Sequence, residues 1–195
     1  MIKDRYFYPL ALAFVAGMIW FALSLSEAID LTDEMIWSEG FVAEGDALIT
    51  LIASPGTKYN FTEKTVNHPA YITAFTEIAR ENADPSAGIF AALGSDYERA
   101  FAGQKLQITI RARQGHNNPL TTFDMGYFSA SAGLRDSGWK RCELTSEWQD
   151  FTLEFSPDLP NHDPDIDYLG FWPGEEGDLK TMDVEFLKIN VLSKP

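Results

Sequence analysis

Hydrophobic positions along this chain fall into two regimes. From Tyr6 to Ser26 no charged residue occurs, and residues 10–25 (LALAFVAGMIWFALSL) are apolar on every side of a helix rather than on one stripe. Beyond residue 46 the apolar positions come in short runs that alternate with polar ones and stop at Pro, Gly, Asn and Asp clusters, the pattern of strands separated by turns. The clearest run is 105–113, where Leu106, Ile108, Ile110 and Ala112 face one way and Gln107, Thr109, Arg111 and Arg113 the other. Residues 148–155 repeat the pattern, with Phe151, Leu153 and Phe155 inward. Further strands are predicted over 47–53, 71–80, 88–93, 121–130, 138–144, 166–172 and 180–192, the last with a slip in alternation between Phe186 and Leu187 that predicts a β-bulge. About nine strands with no helix after the first segment predict an all-β fold of two packed antiparallel sheets, because a single open sheet would leave an apolar face wet.

The uncharged N-terminal run spans about 20 residues, and at helical rise reaches roughly 30 Å, the thickness of a bilayer's hydrocarbon core. Lys3 and Arg5 precede it, and Glu27, Asp30, Asp33 and Glu34 follow it. That asymmetry predicts a single-pass transmembrane α-helix in an inner or plasma membrane, with the N-terminus cytoplasmic and the rest periplasmic or extracellular. A cleaved signal peptide is the competing reading, since Ser24 and Ser26, or Ser26 and Ala28, supply small residues before a cleavage point. The predicted organisation is a head and signal-anchor helix over 1–26, a connector over 27–45 and a β-sandwich over 46–195.

The formal net charge of −14 creates a field that repels phosphate backbones, which argues against a nucleic-acid partner. A single cysteine, Cys142, forms no intramolecular disulfide, so the fold rests on its core. His68, His116 and His162 stand far apart, and neither a nucleophile elbow nor a metalloprotease motif occurs; no catalytic residue is assigned and the protein is read as a non-enzyme. Asp163, Asp165 and Asp167 alternate within 161–167 (NHDPDID) and offer oxygens to a calcium ion. The segment departs from an EF-hand, with Tyr168 in the glycine position and Gly174 in place of the bidentate glutamate, and no other cofactor is indicated.

Three segments resemble the galactose-binding-like jelly-roll superfamily, particularly its carbohydrate-binding modules. They are 101–106 (FAGQKL) running into the strand 107–113, then 148–155 (WQDFTLEF), then 167–173 (DYLGFWP) followed by 182–191. The resemblance covers roughly 87–192. It implies that the two-sheet sandwich is a jelly roll and that the domain binds rather than transforms its ligand; it also implies that Trp148 is structural.

Sugars stack their C–H faces on flat aromatic rings while amides, carboxylates and guanidinium groups bond the hydroxyls. Tyr127, Trp139, Tyr168 and Trp172, on or beside neighbouring strands, and Arg111 and Arg113, on the polar face of 105–113, are the candidate ligand-binding residues. The expected partner is a polysaccharide or glycan on the exported side of the membrane. The alternative is a structural accessory subunit of a larger membrane protein complex, its helix packing through Ala11, Ala13, Ala16 and Gly17.

Overall fold

The computed structural model describes residues 31–129, 133–160, 165–175 and 177–193, with the isolated positions Phe14, Val15 and Met18. The chain divides into two units, 1–31 and 32–195. The anchor segment lies outside the described residues apart from those three positions; among the described residues no helix is long and apolar enough to cross a membrane.

The second unit is an antiparallel two-sheet sandwich. Its elements in chain order are α1 (Asp33–Glu39), β1 (Phe41–Glu44), a 3-10 helix (Gly45–Thr50), β2 (Ile52–Ala53), β3 (Thr57–Thr62), β4 (Tyr71–Thr76), a 3-10 turn (Arg80–Asn82), β5 (Ile89–Leu93), α2 (Ser95–Phe101), β6 (Lys105–Gln114), β7 (Thr122–Ser129), β8 (Lys140–Glu143), β9 (Gln149–Phe155), β10 (Asp167–Trp172) and β11 (Thr181–Ser193). One sheet runs β3-β4-β11-β6-β9, with β1 also on β11; the other runs β2-β5-β10-β7-β8. Only β3–β4 and β7–β8 are neighbours in both chain and sheet, so most pairing is long-range.

The alternation in 105–113 does what its period requires. Leu106, Ile108, Ile110 and Ala112 are fully buried, and so are Phe123, Met125, Leu169 and Phe171 of the other sheet. Burying each large apolar side chain stabilises the fold by about 1.5–3 kcal/mol. On β11, Met182 and Val184 point inward, and so do Leu187 and Ile189. Even and odd positions can share one face only if a residue is inserted, and the register against β6 shifts between Val184 and Phe186. The bulge is therefore at Glu185, just before the expected slip.

Several expectations are corrected. Residues 47–53 are not one strand: a 3-10 helix occupies Gly45–Thr50 and only Ile52 and Ala53 pair. The stretch read as a connector contributes α1 and the paired strand β1, whose Phe41 to Glu44 oppose Ile189 to Phe186. Thr32 caps α1, its side chain accepting from the Met35 N–H at 3.3 Å. Gly40 ends it at φ 71°, where a Cβ would lie 2.1 Å from the Ile189 carbonyl oxygen. Two short α-helices and β3 were not anticipated, because seven-residue helices and a strand with mixed burial give weak periodicity. The strand beginning at Tyr71 ends at Thr76, and the chain then turns through Arg80–Asn82.

Candidate functional site

The expected ligand residues do not form one surface. Arg111 and Arg113 lie on the outer face of the six-stranded sheet. Arg111 donates to Asp150 at 2.7 Å and Glu185 at 2.9 Å. Arg113 donates to buried Asp183 at 3.0 Å, which also accepts from the Thr73 hydroxyl at 2.8 Å. The Arg113 guanidinium stacks 4.5 Å from the ring centre of Trp148. Both arginines are thus committed to neighbours in their own sheet, as so acidic a domain requires, and they stand apart from the aromatic candidates.

Tyr127 belongs to the interior. It is 1% exposed, its ring lies 5.5 Å from Phe155 of the opposite sheet, and its hydroxyl donates to Asp167 at 2.5 Å. Burial and the neighbouring Asp167 charge hold its phenol well above the usual tyrosine range. A side chain so enclosed touches no polysaccharide, and the assignment of Tyr127 as a ligand residue is corrected. Asp167 faces inward with it, while Asp165 is exposed and Asp163 lies outside the described residues. Asp165 precedes β10 and is exposed, whereas Asp167 opens the strand and is buried, so these two carboxylates of the expected calcium loop meet different surroundings.

The remaining aromatics come together on the outer face of the five-stranded sheet. Tyr168 opposes Phe128 of β7 and Ala92 of β5; Gly170 opposes Gly126 and Phe90; Trp172 opposes Asp124. The two facing glycines leave space that neighbouring groups fill. A Cβ on Gly170 would sit 2.2 Å from the Phe90 ring, which reaches over from β5, and one on Gly126 would sit 2.6 Å from both the Phe128 ring of its own strand and the Gly138 carbonyl oxygen. Phe90 packs 6.0 Å from Tyr168 and 6.0 Å from Phe128, and Phe128 packs 4.6 Å from Trp139. The two Phe90 contacts are edge-on, a preferred geometry of aromatic clusters, and the Phe128–Trp139 pair is tilted at 49°.

Trp172 serves this face from beneath. It is 0% exposed and its indole N–H has no hydrogen-bond partner, so it is corrected from ligand contact to support. Over it lies the guanidinium of Arg80, 4.6 Å from its ring centre and 5.0 Å from that of Trp139. Arg80 also donates to the carbonyls of Asp84, Pro85 and Ala87 at 3.2, 2.6 and 3.1 Å, and Trp139 donates to Pro85 at 3.3 Å. Burial pulls the Arg80 guanidinium below its ordinary range, against the opposing charge of Asp124. Asp124 itself is held by Arg141 at 3.0 Å.

The result is a groove of about 370 Å³ lined by Ile52, Ser54, Ser86, Phe90, Phe128, Ser129, Asp136 and Tyr168. Apolar rings floor it, and hydroxyls and one carboxylate edge it, the composition of a small-ligand site. A larger concavity of about 490 Å³, lined by Glu44, Asp46, Lys64 and Glu185 among others, has no aromatic residue against which a sugar could stack. Of the six expected ligand residues, Tyr168 lines the groove and Trp139 flanks it. Arg80, Phe90, Phe128 and Asp136 were missed. Phe128 had a signal, because it has the opposite parity to inward Phe123, Met125 and Tyr127; Arg80 opens a 3-10 turn and Asp136 sits in irregular chain, where no period exists.

No protein-family model matches this chain, and no curated protein matches it. Solved structures do. The CBM22-1 xylan-binding domain of Paenibacillus barcinonensis Xyn10C superposes with a TM-score of 0.53 at 10% identity, covering 80% of this chain and 95% of that one. The C-terminal family 22 carbohydrate binding module of Clostridium thermocellum Xyn10B gives 0.53 at 11% identity over 80% and 95%. A further xylan-binding domain of family 22 gives 0.54 at 13% identity over 80% and 97%. The sandwich therefore has the fold of carbohydrate-binding modules, a fold shared at an identity too low to carry residue roles.

Proposed function

We propose that this protein is a non-catalytic carbohydrate-binding domain that takes up polysaccharide in the groove on the outer face of its five-stranded sheet. The observation that carries this reading is the packing of Phe90, Phe128, Trp139 and Tyr168 over a floor opened by Gly126 and Gly170. Such a platform stacks the apolar face of a pyranose, while Ser54, Ser86 and Asp136 reach its hydroxyls. Two structural neighbours are xylan-binding domains, which makes xylan the first ligand to try. Among the described residues no group of three or more metal-ligating carboxylates, histidines or cysteines is present, and the reading invokes no catalytic metal.

The test is affinity electrophoresis of the full chain through gels containing xylan, mixed-linkage glucan or mannan. Wild type is retarded by at least one of them, and Tyr168→Ala and Trp139→Ala each lose most of the retardation. No retardation by any glycan, or retardation unchanged in both variants, sinks the proposal.

We further propose that the uncharged run 6–26 anchors the domain to an inner or plasma membrane, N-terminus inside, with the groove on the exported side. What supports this is the length of the run and the charge asymmetry around it. An intact mass from isolated membranes that lacks the first 26 or 28 residues would replace the anchor with a cleaved leader.

A further inference from the structure

The outer face of β10 carries one more aromatic position beyond the groove, and the chain itself covers it. Tyr168, Gly170 and Trp172 alternate with inward Leu169 and Phe171, so Trp172 stands on the same face as the groove residue Tyr168. Yet it is fully buried, and its indole N–H has no hydrogen-bond partner among the described residues. The cover is a strap, residues 79–87, that links β4 to β5. Its Arg80 guanidinium lies 4.6 Å from the ring centre of Trp172 and 5.0 Å from that of Trp139. Two bonds hold the strap down: the Arg80 N–H donates to the Glu175 carbonyl at 2.8 Å, and the Trp139 indole N–H donates to the Pro85 carbonyl at 3.3 Å.

A planar group lying against two tryptophan rings fills the place in which a pyranose is gripped by aromatic faces. The surroundings suit a sugar as well. Asp124 opposes Trp172 in the sheet, and Arg141 bridges Asp124 and Glu175, so carboxylates and a guanidinium gather at this end of β10. The closed arrangement is also one that a ligand can compete with. Burial acts against the Arg80 charge, and the covered indole N–H still lacks an acceptor, which a sugar hydroxyl supplies.

We infer that Trp172 and Trp139 form a further pyranose subsite of the groove, closed in the free protein by Arg80, which stands in for the sugar. The inference rests on the glycan reading of the groove. A short saccharide is held on Phe90, Phe128 and Tyr168 with the strap in place. A longer chain reaches Trp172 only by displacing the strap. Its apparent affinity is then lowered by the fraction of molecules in which the strap is open.

The test runs full-length wild type and Arg80→Ala through the three glycan gels. Both are then titrated with the disaccharide and the hexasaccharide of whichever glycan retains either, xylobiose and xylohexaose for xylan. Without the guanidinium the subsite is free, so the ratio of hexasaccharide to disaccharide affinity rises about three- to tenfold in Arg80→Ala, the worth of one stacked aromatic contact. The rise disappears in Arg80→Ala/Trp172→Leu. An unchanged or lower ratio in Arg80→Ala overturns the inference, since the strap is then only a wall of the groove. So does a rise that survives the loss of Trp172. Should Arg80→Ala fail to fold, hydrogen exchange in wild type decides. The hexasaccharide speeds exchange at the Arg80, Asn82 and Ala87 amides, whose bonds close the strap, and slower or unchanged exchange overturns the inference. Retention of wild type with no change of ratio removes the subsite and leaves the groove standing, whereas no retention of either protein on any gel removes both.

Discussion

Gly170 and Phe90 face each other across β10 and β5, and the ring occupies the space a side chain at 170 would need: a Cβ there would lie 2.2 Å from Phe90 Cδ1 and 2.3 Å from Cε1. The glycine is present for this close approach, since no left-handed backbone angle requires it. Gly170→Ala is expected to swing Phe90 off the sheet and cost about 1–3 kcal/mol of stability, as overpacking does. Glycan retention should fall with it. A variant with wild-type urea midpoint and wild-type retention would show that the ring's position is not used.

Tyr127→Phe separates the interior from the groove. It deletes the hydroxyl that satisfies buried Asp167 Oδ2, at a cost of about 1–3 kcal/mol for the stranded acceptor. Retention on a glycan gel should stay at the wild-type value. Lost retention at unchanged stability would return Tyr127 to the binding site.

Arg111 and Arg113 differ in what they leave behind. The partners of Arg111, Asp150 and Glu185, keep access to water, so Arg111→Ala should cost less than about 1 kcal/mol. Asp183 is buried and would keep only the Thr73 hydroxyl, so Arg113→Ala should cost about 2–3 kcal/mol, loss of the Trp148 stack included. Urea denaturation orders the two, and neither should alter glycan binding. Equal costs would mean that Asp183 relaxes to solvent.

Removing Glu185 tests the bulge. Without it, residues from 186 onward shift by one place against β6, and Leu187 and Ile189 turn outward from the core. The deletion is expected to abolish the cooperative melting transition and the near-UV circular dichroism, whereas Glu185→Ala retains both. A folded deletion variant would show that the register is set elsewhere.

The sequence by itself determined what depends on near neighbours. Period-two alternation decided that Leu106, Ile108, Ile110 and Ala112 face inward, and broken alternation located the bulge within two residues, because strand pleating acts on successive side chains. Aromatic residues capable of stacking a sugar were visible as a type; of these, Tyr168 lines the groove and Trp139 packs on Phe128 beside it. Only the tertiary structure decided which aromatics share a face. β10 lies between β5 and β7 though neither adjoins it in the chain, so Phe90 meets Tyr168 across 78 positions of sequence. Tyr127 and Trp172 looked equivalent to Tyr168 in type and strand placement. One turned into the core and the other was roofed by Arg80, because exposure depends on what packs above a side chain, and that packing comes from distant parts of the chain.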